Sequence, residues 1–263
     1  MIYLYTTFLY DPIFNALIAL YHYLPGHDLG VAIIGLTIII KLVLFWPSLA
    51  GLKAQKRLQD TQPKIDELRQ QYKDNKEELG RQLMAFYKEN KVNPFSSCLP
   101  LIIQLPILIA LYQTFLHGLQ VDGATGLLAA DQVQHLYQGL RTIYAITPID
   151  TSLFGWVNLA TAHNIVLAVL AGAASFFQAK TLQAKRVTVR SVGSKDENVA
   201  AALNKQMLYI LPVMTVIFGY QFPAGVTLYW LISTLFSLVQ QLYFFRVRRA
   251  LSSNDHAPNQ PTA

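Results

Sequence analysis

An all-α integral membrane protein with five transmembrane helices is the fold class this chain predicts, and three features carry that expectation. Only 14% of its 263 residues are charged, against 53% hydrophobic, whereas soluble domains run near a quarter charged. Five apolar stretches recur, at 30–49, 99–118, 156–178, 207–222 and 224–245. A helix of about 20 apolar residues crosses a ~30 Å hydrocarbon core. Between these stretches the basic residues cluster in alternate connections, and the 12% aromatic content suits interfacial belts.

Residues 1–29 contain no Lys or Arg. A secretory leader needs a positive start, so a cleaved signal is not expected. Asp11-Pro12 reads as an N-cap followed by proline at the first helical position. Behind it, Ile13, Phe14, Leu17, Leu20 and Tyr21 are apolar, while Asp11, Asn15 and His22 share one face. The expectation is a short amphipathic helix from Pro12 to Leu24, lying in the membrane interface and ended by Pro25-Gly26. A sixth, weakly hydrophobic span is the alternative.

The first span, 30–49, has one charge near its middle, Lys41. A lysine at that depth costs roughly 2.5–3.5 kcal/mol on insertion scales. The next lysine, Lys53, is about 18 Å further along a helix, beyond the reach of the Lys41 stem. Lys41 therefore sits near a membrane edge or faces a wet cavity. Thr37 and Ser48 share its helical face and extend it into a polar stripe.

Residues 50–98 change character, with ten basic and seven acidic side chains. Pro63 is expected to end one helix and start another at Lys64. Ile65, Leu68 and Tyr72, then Leu79, Leu83, Phe86 and Tyr87, repeat at helical spacing around the polar turn Lys73-Asp74-Asn75-Lys76. This predicts a cytoplasmic hairpin of two antiparallel amphipathic helices. The second span, 99–118, is entered through Asn93 to Cys98 and holds Pro100 and Pro106 around a central Gln104. Residues 119–155 form a connection with one basic residue, Arg141, and a short helix around Gln132 to Ile143.

The third span, 156–178, has His163-Asn164 near its start and Gln178 at its end. Ala168, Ala171, Gly172 and Ser175 are small at near-helical spacing, which permits close helix contact. A basic connection follows at 179–206. The fourth and fifth spans, 207–222 and 224–245, are joined through Phe222-Pro223-Ala224-Gly225. The fourth, at roughly 24 Å, is short for the core. A polar tail, 246–263, begins with Arg246, Arg248 and Arg249.

Charge fixes the expected orientation. Outside the spans, the connections at 50–98 and 179–206 and the tail hold ten, six and three basic residues. The opposite side holds Arg141 alone. By the positive-inside rule, the N-terminus lies outside and the C-terminus in the cytoplasm.

No Asp or Glu falls within the five spans. That argues against a carboxylate proton relay and leaves Lys41 with Thr37, Gln104, Gln178, carbonyls and water as companions. The single cysteine, Cys98, excludes an intramolecular disulfide and a multi-cysteine metal site. There is no Walker-type loop and no His-Glu-x-x-His motif, and no cofactor or nucleic-acid substrate is expected.

The run Lys88-Glu89-Asn90-Lys91-Val92-Asn93-Pro94, then Cys98-Leu99-Pro100-Leu101-Ile102-Ile103-Gln104-Leu105-Pro106-Ile107, then Ala110-Leu111-Tyr112, resembles the YidC membrane insertases. So do Gln62-Pro63-Lys64-Ile65 and Phe222-Pro223-Ala224-Gly225 with Leu228-Tyr229-Trp230. The resemblance covers about residues 10–250 and extends to the Oxa-type and Albino-type insertases. It implies five helices around a hydrophilic groove open to the cytoplasm and to lipid, in the bacterial plasma membrane. It implies a membrane protein insertase and chaperone without covalent chemistry. Its expected partners are nascent membrane proteins and the bilayer, with the ribosome and a Sec-type translocon as further candidates. Lys41 stands where the family usually has arginine, which keeps the charge and loses the forked geometry. Thr37, Gln104, Gln178 and Trp230 match groove positions. Leu105, Leu108 and Tyr229 match the surface along which substrate helices slide. The large periplasmic domain of many members is not expected, which suggests the short bacterial form. The rival from another class is a small multi-span transporter or channel with Lys41 as an anion site, and a third reading is a structural assembly factor. Transporters often show paired inverted halves, and no such symmetry is visible here.

Overall fold

The computed structural model describes residues 2–92, 99–122, 124–182 and 195–254. The expected entry through Asn93 to Cys98, most of the second basic connection and the end of the tail lie outside them.

The described chain is predominantly helical. Its N-terminus is helical from the start: α1 (Ile2–Tyr5), a π-helical turn (Thr6–Tyr10) and α2 (Asp11–Tyr23). Asp11 is therefore not the expected N-cap. The helix runs through it because the π turn, closed by Asp11 N–H donating to the Thr6 carbonyl, absorbs the donor that Pro12 lacks. The Asp11 carboxylate instead meets His135 Nδ1 at 2.8 Å. Phe14, Leu17 and Ile18 are fully buried. They pack in one core with Leu29, Ala32, Ile33 and Leu36 of the next helix and with Leu136, Tyr144 and Leu159 of the 119–164 region.

That next helix is α3 (Leu29–Val43), and it is followed directly by α4 (Phe45–Gln71). The expected straight 30–49 span is thus two helices bent by 64°. Pro47 explains the bend. It has no N–H for the Val43 carbonyl, and its ring crowds that carbonyl, which is where α3 stops. Asp28 caps α3, its Oδ1 accepting from Val31 N–H at 2.9 Å.

Within α4 the expected break at Pro63 does not occur; the proline lies inside the helix. Good helix formers flank it on both sides, and i,i+4 pairs brace them. Lys56 pairs with Asp60, and Gln62 donates to Asp66 at 3.0 Å. After the turn, Asn75 caps α5 (Lys76–Glu89) by accepting from Glu78 N–H at 3.1 Å. The hairpin arms are thus α4 and α5, with the first arm continuous from Phe45.

α6 (Leu99–Gln113) runs into a second π turn (Thr114–Gly118), closed by Leu119 N–H on the Thr114 carbonyl at 2.8 Å. The helix expected around Gln132 to Ile143 is two short ones, α7 (Ala130–Val133) and α8 (Gln138–Tyr144). A hairpin of β1 (Ser152–Leu153) and β2 (Val157–Asn158) follows, pairing Ser152 with Asn158 and Leu153 with Val157.

α9 spans Ile165–Leu182, so the expected helical start at residue 156 is displaced. Asn164 sets the true start, its Oδ1 accepting from Leu167 N–H at 3.0 Å. The preceding His163 sits at φ 72°, outside helical geometry. α10 (Lys195–Gln221) and α11 (Ala224–Asn254) complete the chain. The small stripe on α9 meets α10: a Cβ on Gly172 would lie 2.3 Å from Val216 Cγ2 and 3.1 Å from the Pro212 carbonyl. The turn into α11 needs Gly225, where a Cβ would stand 2.2 Å from the Phe115 ring.

By length and apolarity, among the described residues, Ala224–Arg246 qualifies singly as a membrane crossing, and the bent α3–α4 pair qualifies jointly. Ile102–Gly118, Ile165–Thr181 and Leu208–Gln221 are shorter apolar helices.

Candidate functional site

The expected site residues fall on four helices, and α11 is the one that gathers them. Tyr229, Ser233, Ser237 and Gln241 recur every four residues, with Gln240 beside the last. This is one polar edge on an otherwise apolar helix. At its N-terminal end the Gln104 amide of α6 donates to the Tyr229 hydroxyl. Beyond it, the Ser237 hydroxyl donates to the Ser233 carbonyl at 2.9 Å and accepts from Lys41 Nζ at 3.1 Å. Further along, Gln240 Oε1 accepts from the Ser48 hydroxyl of α4 at 2.9 Å. The Thr181 hydroxyl of α9 lies 2.7 Å from Gln241 Oε1 and 2.8 Å from the Gln178 carbonyl. The result is a polar seam along α11 that touches α3, α4, α6 and α9.

Lys41 sits in the last turn of α3, where the helix carbonyl end favours a cation. It is half-buried, and among the described residues it makes no ion pair. Its one described side-chain partner is the neutral Ser237 hydroxyl. The Gln240 side chain is 8% exposed, and its Nε2 has no partner among the described residues. A buried amide donor in that state favours an incoming acceptor.

The other expected residues are placed differently. Thr37 is fully buried, and its hydroxyl donates back to the Ile33 carbonyl at 2.6 Å, so it satisfies its own helix rather than the seam. Gln178 and Trp230 are half-buried and make no side-chain hydrogen bond to the seam among the described residues. Leu105 is exposed and Leu108 half-buried on α6. Tyr229 is only 1% exposed, so it presents its hydroxyl inward rather than an open apolar face.

Ser48, expected beside Lys41 on one straight helix, joins the seam from α4 instead, beyond the bend. Ser233, Ser237, Gln240 and Gln241 are the members of this polar edge that sequence reasoning misses. Their i, i+4, i+7, i+8 spacing on an apolar stretch is the signal that could have found them.

On the far side, the 119–164 region covers α2. Tyr10 donates to Gln132 Oε1 at 2.9 Å, Asn15 Nδ2 to the His135 carbonyl at 2.8 Å, and Asp150 N–H to the Tyr21 hydroxyl at 2.9 Å. The pKa of the Tyr10 hydroxyl is pushed up to about 12, first by burial and then by the Asp11 and Asp131 carboxylates.

Residues 19–250 match the sequence model of the 60Kd inner membrane protein family. The chain is 33% identical over 220 residues to the membrane protein insertase YidC of Fusobacterium nucleatum subsp. nucleatum, covering 83% of this chain and 87% of that protein. It is 30% and 31% identical over 219 residues to the YidC insertases of Mannheimia succiniciproducens and Actinobacillus pleuropneumoniae serotype 3. There the match covers 82% of this chain but only 33% of each relative, so the chain corresponds to about a third of those longer proteins.

Proposed function

The chain belongs to the 60Kd inner membrane protein family and is a membrane protein insertase of the YidC type, and we propose that it works by drawing nascent hydrophobic segments along the α11 polar seam into lipid, without covalent chemistry. The observation that carries this mechanism is the contact of Lys41 with Ser237: a cation on an apolar helix whose described partner is a neutral hydroxyl. Such a charge keeps most of its attraction for an arriving acidic tail, because no carboxylate among the described residues neutralises it.

In this reading five helical segments cross the bilayer: α3 with the start of α4, α6 with its π turn, α9, the apolar part of α10, and α11. The N-terminus and the 119–155 connection lie outside, and the α4–α5 hairpin and the C-terminus lie in the cytoplasm. The charge asymmetry supports this orientation. The seam lines a hydrophilic groove open to the cytoplasm. Support comes from the gathering of Gln104, Tyr229, Ser237, Lys41, Ser48 and Gln240 along one helix edge, and from the Gln240 amide, whose Nε2 has no partner among the described residues, which suits a hydrated wall. The apolar part of α10, Leu208–Gln221, is about 21 Å long. A span that short thins the bilayer around it and shortens the apolar distance a polar tail must cross. Exposed Leu105 and neighbouring Leu108 are the sliding surface, and Trp230 and Gln178 flank the path. Nascent membrane proteins and lipid are the partners, with the ribosome and a Sec-type translocon as further contacts of the basic cytoplasmic side.

The transporter reading has no observation of its own, since the chain's similarities are to insertases. Reconstitution into protein-free liposomes tests the proposal. Small single-span proteins with short acidic outer tails insert faster with the protein present than without it. Equal insertion in both cases ends the reading.

A further inference from the structure

The β1–β2 hairpin ends in Phe154-Gly155-Trp156, and no Asp, Glu, Lys or Arg occurs between Asp150 and Lys180. Phe154 is 68% exposed and Trp156 92% exposed. A tip that offers two large aromatic rings and no charge is costly against water.

The backbone that presents them is held from outside the turn. Phe154 and Gly155 have φ of 49° and 73° and are the central residues of a tight turn closed by Trp156 N–H on the Leu153 carbonyl at 3.0 Å, where a primed turn needs positive φ at both. Glycine adopts this at no cost, while a phenylalanine there needs external support. Asp28 supplies it, its Oδ2 accepting from Phe154 N–H at 2.5 Å while its Oδ1 caps α3. Leu153 packs so closely on α3 that a Cβ on Gly30 would fall 2.1 Å from Leu153 Cδ1.

The same hairpin lies level with two other helix starts. The chain passes from β2 into α9 within seven residues. The Thr161 and Leu159 carbonyls accept from Ala224 and Gly225 N–H at the head of α11, both at 2.8 Å. At the start of α9, Ile165 and Val166 are exposed, as they would be against lipid.

We propose that Phe154 and Trp156 are a membrane-interface anchor that inserts into the outer lipid leaflet at headgroup depth and, through Asp28, fixes the level at which α3 enters the bilayer. The inference rests on the reading that α3, α9 and α11 cross the membrane with their N-terminal ends outside. The occupant is the lipid interface: the tip is aromatic and uncharged, and it stands at the mouth of three apolar helices, where amphipathic rings partition. Lys41, thirteen residues along from Asp28, is then about 20 Å below the anchor, so the anchor determines the depth of the cation in the seam.

The test is fluorescence of the full chain in vesicles of brominated phosphatidylcholine, compared with Trp156→Phe. The difference between the two reports Trp156, because Trp46 and Trp230 contribute to both. A second variant, Ile39→Trp in the Trp156→Phe background, reports the exposed middle of α3 in the same vesicles. The expected result is that the Trp156 signal is quenched more by bromines near the headgroup than by bromines near the chain ends. Aqueous iodide quenches it several-fold less than it quenches tryptophan in solution. A Trp156 signal quenched fully by iodide and untouched by either bromine position, with position 39 quenched by deep bromines, overturns the anchor and leaves the spanning reading in place. Positions 156 and 39 both open to iodide overturn the spanning reading and the anchor together.

Discussion

The Lys41 ammonium donates to the Ser237 hydroxyl at 3.1 Å, tying the last turn of α3 to the polar edge of α11. The two residues are 196 positions apart in the chain, and the contact puts a cation against a neutral partner inside an apolar bundle. If that charge attracts acidic tails, its sign matters more than its shape. At a separation of about 10 Å and an effective dielectric near 20, one unit-charge pair is worth roughly 1.7 kcal/mol, on the order of tenfold in rate. Lys41→Arg keeps insertion of single-span substrates with acidic outer tails. Lys41→Ala lowers it about tenfold, and Lys41→Glu lowers it further. Proteoliposome insertion rates measure all three, and equal rates for wild type and Lys41→Glu remove the charge from the mechanism.

Ser237 is expected to hold the ammonium in place rather than to supply attraction. Ser237→Ala removes one hydrogen bond to a charged group, a loss of about 1.5–3 kcal/mol at most, offset where water replaces the hydroxyl. Stability should therefore drop modestly, and in a Lys41→Met background Ser237→Ala should cost almost nothing. A double-mutant cycle on unfolding in detergent reads this coupling, and additive losses would show that the pair does not interact.

Packing between α9 and α10 makes a different demand. Gly172→Ala places a Cβ 2.3 Å from Val216 Cγ2, and overpacking of this kind costs about 1–3 kcal/mol. The thermal midpoint in detergent should fall, and Val216→Ala added to Gly172→Ala should recover most of the loss. A midpoint unchanged by Gly172→Ala would mean that the two helices do not pack this closely.

The docking of the N-terminal helix onto the 119–164 region should weaken in strong alkali. The Tyr10 pKa is held up to about 12, above its ordinary value of 10.0, so the docked state binds this proton more tightly than the undocked one. Its contribution is complete below pH 10 and is lost as pH rises through about 12. Protease cleavage ahead of Asp11 should accelerate over that window. In Tyr10→Phe, which forfeits about 1 kcal/mol of hydrogen bonding to Gln132, the rise should be smaller.

Much of this arrangement is legible in the sequence because apolar length and charge placement are strong local signals. The start of α11 at Ala224 and the small face of α9 at Gly172 are such cases, and Lys41 announces itself by its cost. What is not legible depends on single prolines and caps acting in context. Pro47 bends the first apolar stretch, whereas Pro63, flanked by strong helix formers, does not interrupt α4. Asn164 delays α9 by nine residues relative to the apolar run. Thr37 lies on the expected helix but commits its hydroxyl to Ile33, a choice between backbone and cavity that periodicity does not resolve. The serine and glutamine edge of α11 is hidden in another way, because each residue is ordinary alone and gains meaning from Lys41, Gln104 and Ser48 arriving from other helices.

If the α11 seam is the path of the substrate, site-specific photocross-linking to a stalled nascent chain reads it most directly. Probes at positions 41, 104 and 237 face the seam, and probes at Leu42 and Val43, which are 58% and 72% exposed on α3, do not join it. Strong nascent-chain adducts from 41, 104 and 237, with weak ones from 42 and 43, are the predicted result. Adducts from 42 and 43 that equal or exceed those from the seam would contradict it.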